Sequence, residues 1–175
     1  DAVDATSASG ADVVTDDTAA RTDVRSRIWE ILGTVTDPEI PVLTIEDIGI
    51  LREVTVDDDG GVVVSITPTY SGCPAMDQIE HDIVRVLGAH GHHATVRTTF
   101  TPPWTTDWMT DDAKRKLADF GIAAPESDLG IVDEVLCPNC AASSPRVVAE
   151  FSSTACKRML VCTACREPFD QFKAI

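Results

Sequence analysis

The sequence contains no run approaching the roughly 20 apolar residues that a membrane span requires, so no membrane is expected as a partner. Its start lacks both the basic segment and the apolar segment of a signal peptide. The chain opens on Asp1 rather than Met, and it reads as cytoplasmic. Positive charge is scarce. Residues 1–136 hold 9 Lys or Arg against 26 Asp or Glu, a balance of −17, within a net charge of −15 for the whole chain. Phosphate binding runs on clustered Lys and Arg, so nucleic acid is not an expected partner. Also missing are the Gly-x-Ser-x-Gly elbow, the phosphate loop, the GxGxxG fingerprint and the paired Glu-x-x-His helices of a di-iron centre. No catalytic residue is assigned. No internal repeat is present.

The 175 residues suffice for one core of about 100 residues plus a small module. Residues 1–20 carry five acids, no Lys or Arg and no apolar period, which predicts a disordered acidic tail. From there Val24, Ile28, Ile31 and Leu32 line one face of a helix that Gly33 should stop. Residues 50–56 alternate as a strand with Ile50, Val54 and Val56 on one face. Asp57-Asp58-Asp59-Gly60-Gly61 turns the chain into a returning strand over 62–67. Met76, Ile79, Ile83, Val86 and Leu87 define a second helix ending at Gly88. Residues 94–100 alternate again, with Val96, Thr98 and Phe100 on one side.

Helix, hairpin, helix and strand predict an α+β domain over 21–103, a small mixed sheet with helices packed on one face. Residues 104–136 read as a short helical segment, led by Asp111 and Asp112 and ended by Gly121, and a linker from 122.

Residues 137–175 are different in kind. They carry five Lys or Arg against three acids, a balance of +2, and five of the six cysteines. Cys137-Pro-Asn-Cys140 and Cys162-Thr-Ala-Cys165 form two C-x-x-C pairs separated by 21 residues. Each pair suits a tight knuckle whose amides donate to thiolates, and two knuckles complete a tetrahedron of soft ligands. The expectation is a C-terminal four-cysteine zinc ribbon with structural Zn2+, closed to substrate and ordering a segment too small for a core of its own. A redox dithiol pair and a bound iron–sulfur cluster are the alternatives. Cys156, six residues before Cys162, reads as a small buried hydrophobe on a ribbon strand, with a fifth ligand as the competing reading.

Cys73 stands apart, followed by Pro74 in a position suited to the first turn of a helix. At a helix start, free amides and the dipole favour a thiolate, so the spacing predicts a lowered pKa and a nucleophile or soft-metal ligand. A buried cysteine fixing the loop is the plainer reading. Asp37 and Glu39, in the rigid Asp37-Pro38-Glu39-Ile40-Pro41 loop, are candidate oxygen ligands or a base opposite Cys73, and an ordinary turn is the competing reading. His90, His92 and His93 read as a solvated loop rather than a metal site.

Several motifs coincide with a known pattern. DPEIPVLTIEDIG (37–49), the hairpin and TPTYSGCPAMDQIEHDI (67–83) resemble the small domain of SufT-type iron–sulfur assembly factors. Taken with PPWTTDWMTDDAKRKLADFGIAAP (102–125), CPNC, STACK (153–157) and CREPFDQFKAI (165–175), the whole of 24–175 resembles the PaaD (or PaaJ) family of phenylacetate degradation. That resemblance implies an accessory protein of the multicomponent phenylacetyl-CoA epoxidase, assisting iron–sulfur cluster assembly or insertion, with the system's iron–sulfur reductase as a candidate partner. It implies that Cys73, Asp37 and Glu39 handle iron or a cluster. A structural subunit is the alternative, and a homodimer is also allowed. Lys157-Arg158-Met159-Leu160 departs from the family pattern, and the departure reads as a matter of ribbon packing.

Overall fold

The protein is described from a computed structural model covering residues 13–125 and 135–174. Helix α1 runs Val13–Leu32, so the last eight residues of the expected tail are helical, and residues 1–12 of it lie outside the described ones. Ile28 and Leu32 are wholly buried. A helix nucleated by such a packed half extends at small further cost.

Strands β1 (Leu51–Val56) and β2 (Val62–Ile66) form the expected antiparallel hairpin. A bulge between Leu51 and Glu53 shifts the inward face to Leu51 and Val54, in place of the regular alternation through Val56. Helix α2 (Ala75–Ala89) then returns the chain so that β3 (Ala94–Thr98) pairs parallel with β2, giving the order β1-β2-β3. The sheet is therefore mixed, with α1 against β1 and α2, and α2 against β3. Ile79, Ile83 and Leu87 bury the apolar stripe of α2.

That helix passes through Gly88 and ends at Ala89 with His90 as its C-cap, and Gly91 just beyond, with φ of 81°, supports a closing pair of bonds. The His92 amide donates to the Leu87 carbonyl, and the Gly91 amide donates to that of Gly88. The His90 ring bonds the Val86 carbonyl at 2.9 Å, so the histidine group finishes a helix. Strand β3 ends before Phe100, which is exposed.

Residues 104–122, the expected helical segment and the start of the expected linker, send Trp104, Met109, Ala113, Leu117 and Ile122 into the first core. Trp104 is buried and its indole donates to the Ile48 carbonyl at 3.0 Å. Gly49, with φ 78°, lies under Trp108, and a Cβ there would stand 2.6 Å from that residue's Cβ and carbonyl oxygen. The Arg52 guanidinium stands over the Trp108 ring, 3.4 Å from its centroid. Helix α3 (Asp111–Asp119) is capped by Thr110 and ends before Gly121. Its Lys116 reaches Asp47 at 2.8 Å, and Ala113 and Leu117 pack into the same core.

Strand β4 (Ile122–Ala123), within the expected linker, pairs parallel with β7 (Pro168–Phe172). With β5 (Arg146–Ala149) and β6 (Lys157–Val161) this makes a second sheet, ordered β4-β7-β6-β5. A small core of Ala123, Cys137, Leu160, Cys162 and Phe169 lies at one end of this ribbon. At the other end Cys156 and Phe172 belong to the main core, so the two modules share packed interior. Among the described residues no helix is long and apolar enough to cross a membrane.

Candidate functional site

Two sites are built from cysteines. In the ribbon, Cys137 and Cys162 each open a knuckle of the same form. The first cysteine's amide donates to the carbonyl five residues on, Ala142 or Glu167. The amide four residues on, Ala141 or Arg166, returns a bond to the first cysteine's carbonyl. That closure requires positive φ, 57° at Ala141 and 67° at Arg166. It turns both cysteines of a pair toward one point.

The four sulfurs lie within 4.8 Å of one another, with Cys137 and Cys165 at 3.8 Å and Cys140 and Cys162 at 3.6 Å. A tetrahedral zinc with sulfur at ~2.3 Å has sulfur–sulfur edges of about 3.8 Å. The donor set and its spacing fit zinc. The Cys165 amide, 3.4 Å from the Cys162 sulfur, is the main reason that thiol is pulled down to about 6. Cys140 is drawn down by the Ala142 amide, but the surrounding thiols push it up to about 12. Four thiolates cannot share this space without a cation, and a bound ion removes the conflict. Among the described residues this is the one group of three or more ligand atoms gathered tightly enough for an ion.

The second site lies at the seam between the modules. Cys73 is half-buried just before α2, and its sulfur takes a bond from the Ala75 amide, as a capping group does. Pro74 occupies the N-cap position itself. Asp37 is buried, and its Oδ1 accepts from the amides of Glu39 (2.7 Å) and Ile40 (2.9 Å), which holds the Asp-Pro-Glu loop in place. Its carboxylate lies within electrostatic reach of Cys73. Glu39 is exposed and lines a groove with Lys157, Met159 and Asp170. The structure thus brings Asp37 to Cys73 and turns Glu39 toward the ribbon.

The expected thiolate at Cys73 is not what this environment favours. Burial pushes the thiol above its ordinary value, and the charges of Asp37 and Cys156 add to that. The Ala75 amide and the Tyr70 hydroxyl oppose the shift and are outweighed. Burial likewise raises Cys156, although Thr154 bonds its sulfur at 3.1 Å and Lys157 lies near. Burial is also the main reason the Asp37 carboxyl is held up.

Four residues at this seam were outside the sequence-level site. Cys156 stands within electrostatic reach of both Cys73 and Asp37. The Tyr70 hydroxyl lies against Cys73 and the amide of Ala155. Lys157, 5% exposed, pairs with Asp170 at 3.6 Å and acts electrostatically on Asp37 and Cys156, so the 157–160 run begins at this seam as well as packing the ribbon. Thr154 is buried beside Cys156. The available signal was that Cys156 belongs to neither C-x-x-C pair.

Residues 25–97 match the family described as iron-sulfur cluster assembly protein, and 123–173 match the PaaD zinc beta ribbon domain. A protein of Escherichia coli, described as a candidate D component of 1,2-phenylacetyl-CoA epoxidase, is 45% identical over 152 residues, covering 85% of this chain and 92% of that one. The Fe-S protein maturation auxiliary factor SufT of Staphylococcus aureus is 37% identical over 82 residues, 46% of this chain and 92% of its own. A crystal structure of a domain of unknown function from Bacillus anthracis superposes with a TM-score of 0.54 at 28% identity, over 57% of this chain and 96% of that one.

Proposed function

We propose that this chain, which belongs to the PaaD family, is an accessory maturation factor of the phenylacetyl-CoA epoxidase system that helps assemble or insert an iron–sulfur cluster in a client protein. The client favoured here is the system's iron–sulfur reductase. Cargo handling is assigned to 21–103, through Cys73 and the carboxylate of Asp37, with Glu39 on the rim. The ribbon over 137–175 is assigned a structural ion and no cargo at Cys137, Cys140, Cys162 and Cys165. No catalytic step is assigned.

The observation that carries this reading is Cys73. Its sulfur sits half-buried at a helix start, inside the segment that matches iron-sulfur cluster assembly proteins, against a buried carboxylate. Cysteine thiolates are the usual ligands of iron–sulfur clusters, and a half-open position lets a cargo enter and leave. The SufT relative's name, a maturation auxiliary factor, supports the same role.

The test is growth on phenylacetate by a strain lacking this protein and supplied with Cys73→Ser. Failure to grow is expected, with zinc content and melting temperature unchanged, because serine is nearly isosteric. Normal growth would remove Cys73 from the function. The Escherichia coli relative's description as part of the epoxidase favours a second reading, a non-catalytic structural subunit. A stable stoichiometric complex with the epoxidase through purification, with growth intact in Cys73→Ser, would establish that reading instead.

A further inference from the structure

Cys156 is the one cysteine that neither the ribbon ion nor the cargo role of Cys73 uses. It lies in the turn just before β6, 7% exposed, and belongs to the main core rather than the ribbon's own. Its position is held from several sides. The Lys173 amide donates to its carbonyl at 2.8 Å, and Phe172 next to that amide packs at a tilt against Trp104 of the first module. The Thr154 hydroxyl is 3.1 Å from its sulfur. Tyr70, three residues before Cys73, bridges from Cys73 to the amide of Ala155. A residue that only filled space would need neither a hydroxyl on its sulfur nor a buried ammonium close by.

We infer that Cys156 is the second sulfur of the cargo site, so that the ribbon and the assembly domain each contribute one thiolate to a thiophilic metal cargo, Fe(II) or an iron–sulfur cluster. This rests on the maturation reading above and deepens it. Two protein thiolates hold such a cargo while leaving its other coordination positions to the client's ligands, which is what delivery needs. Binding a divalent ion replaces two thiol protons, which leave to solvent, so charge and atoms balance. The Asp37 carboxylate lies within electrostatic reach of both sulfurs. Lys157, buried beside Asp37 and Cys156, offsets the negative charge so gathered. The ribbon's structural ion then gains a purpose for the cargo, because the fold it orders sets the position of Cys156.

The test uses the full chain with zinc in the ribbon, titrated anaerobically with Co(II). Zinc holds the four ribbon thiolates against cobalt, so sulfur-to-cobalt absorption reports other thiols. One further Co(II) per chain is expected, with the intensity of two thiolates. Cys73→Ser and Cys156→Ser should each halve that band and weaken binding by at least about tenfold. The double variant should lose it. Cys156→Ala, which keeps a small apolar group in the core, should behave as Cys156→Ser. Zinc content and melting temperature identify any variant that fails to fold. An unchanged band in Cys156→Ala, or no further Co(II) bound by the wild type, overturns the inference. The maturation reading stands or falls separately, on whether Cys73→Ser supports growth on phenylacetate.

Discussion

Trp104 and Phe172 meet with ring centroids 5.9 Å apart and planes inclined at 52°, and through this contact the ribbon's last strand enters the core of the first domain. Phe172 is 1% exposed and Trp104 4%. The small module is therefore not a bead on a string.

Phe172→Ala is expected to destabilise by roughly 3–5 kcal/mol, the range for truncating a buried aromatic. Removal of the ribbon ion by a chelator, or by Cys162→Ser with Cys165→Ser, should loosen the same packing. Thermal unfolding followed by Trp fluorescence and by zinc release should then give one coincident transition. Two well-separated transitions would show independent cores.

Ala141 and Arg166 hold left-handed backbone at φ 57° and 67° without being glycine. Glycine has no Cβ to strain there, although it loses more freedom on folding. Arg166→Gly is expected to be neutral or to stabilise the ribbon by up to about 1 kcal/mol. Arg166→Val should destabilise it and weaken metal retention. Competition with a coloured chelator measures both.

Cys73 should alkylate more slowly at neutral pH than an exposed cysteine. Burial holds its thiol above the ordinary 9.0, so at pH 7 the nucleophilic thiolate is scarcer than in a free thiol. The rate should go on rising as pH passes 9. Iodoacetamide kinetics against Cys73→Ser would check this, and a rate that levelled off near pH 7 would contradict it.

Asp47 and Lys116 supply an acid-sensitive tie between the 44–48 turn and α3. Burial works against the Asp47 charge, yet the Lys116 ammonium at 2.8 Å and the Thr44 amide at 3.0 Å hold the carboxyl below its ordinary 3.8. A depressed carboxyl stabilises above its unfolded value and loses that contribution as pH falls through the folded one. Stability should thus decline below about pH 4 and less steeply in Asp47→Asn. Lys116 is more than a third exposed, so the pair is worth about 1 kcal/mol or less near pH 7. Denaturant midpoints across pH 2–5 for both proteins decide it.

The two C-x-x-C knuckles, the hairpin and the apolar stripes of Ile28 with Leu32 and of Ile79 with Ile83 were legible because each depends on residues a few positions apart. Covalent spacing and helical or strand period determine such features locally. The halting points were less legible. Gly88 carries the same residue type as Gly91, and only the closing bonds at His92 and Gly91 single out the latter.

What the sequence by itself determined is the metal knuckle chemistry, the α+β class and the presence of a cysteine at a helix start. Tertiary structure alone decided that residues 104–122 join the first core, that Lys157 is buried, and that Cys156 comes within electrostatic reach of Cys73. The same packing reversed the sign of the Cys73 shift, because the desolvation and the negative neighbours that raise it come from residues far along the chain. No periodicity encodes such neighbours. They follow from burying Trp104 against Phe172, where removal of apolar surface from water, rather than local spacing, selects the arrangement.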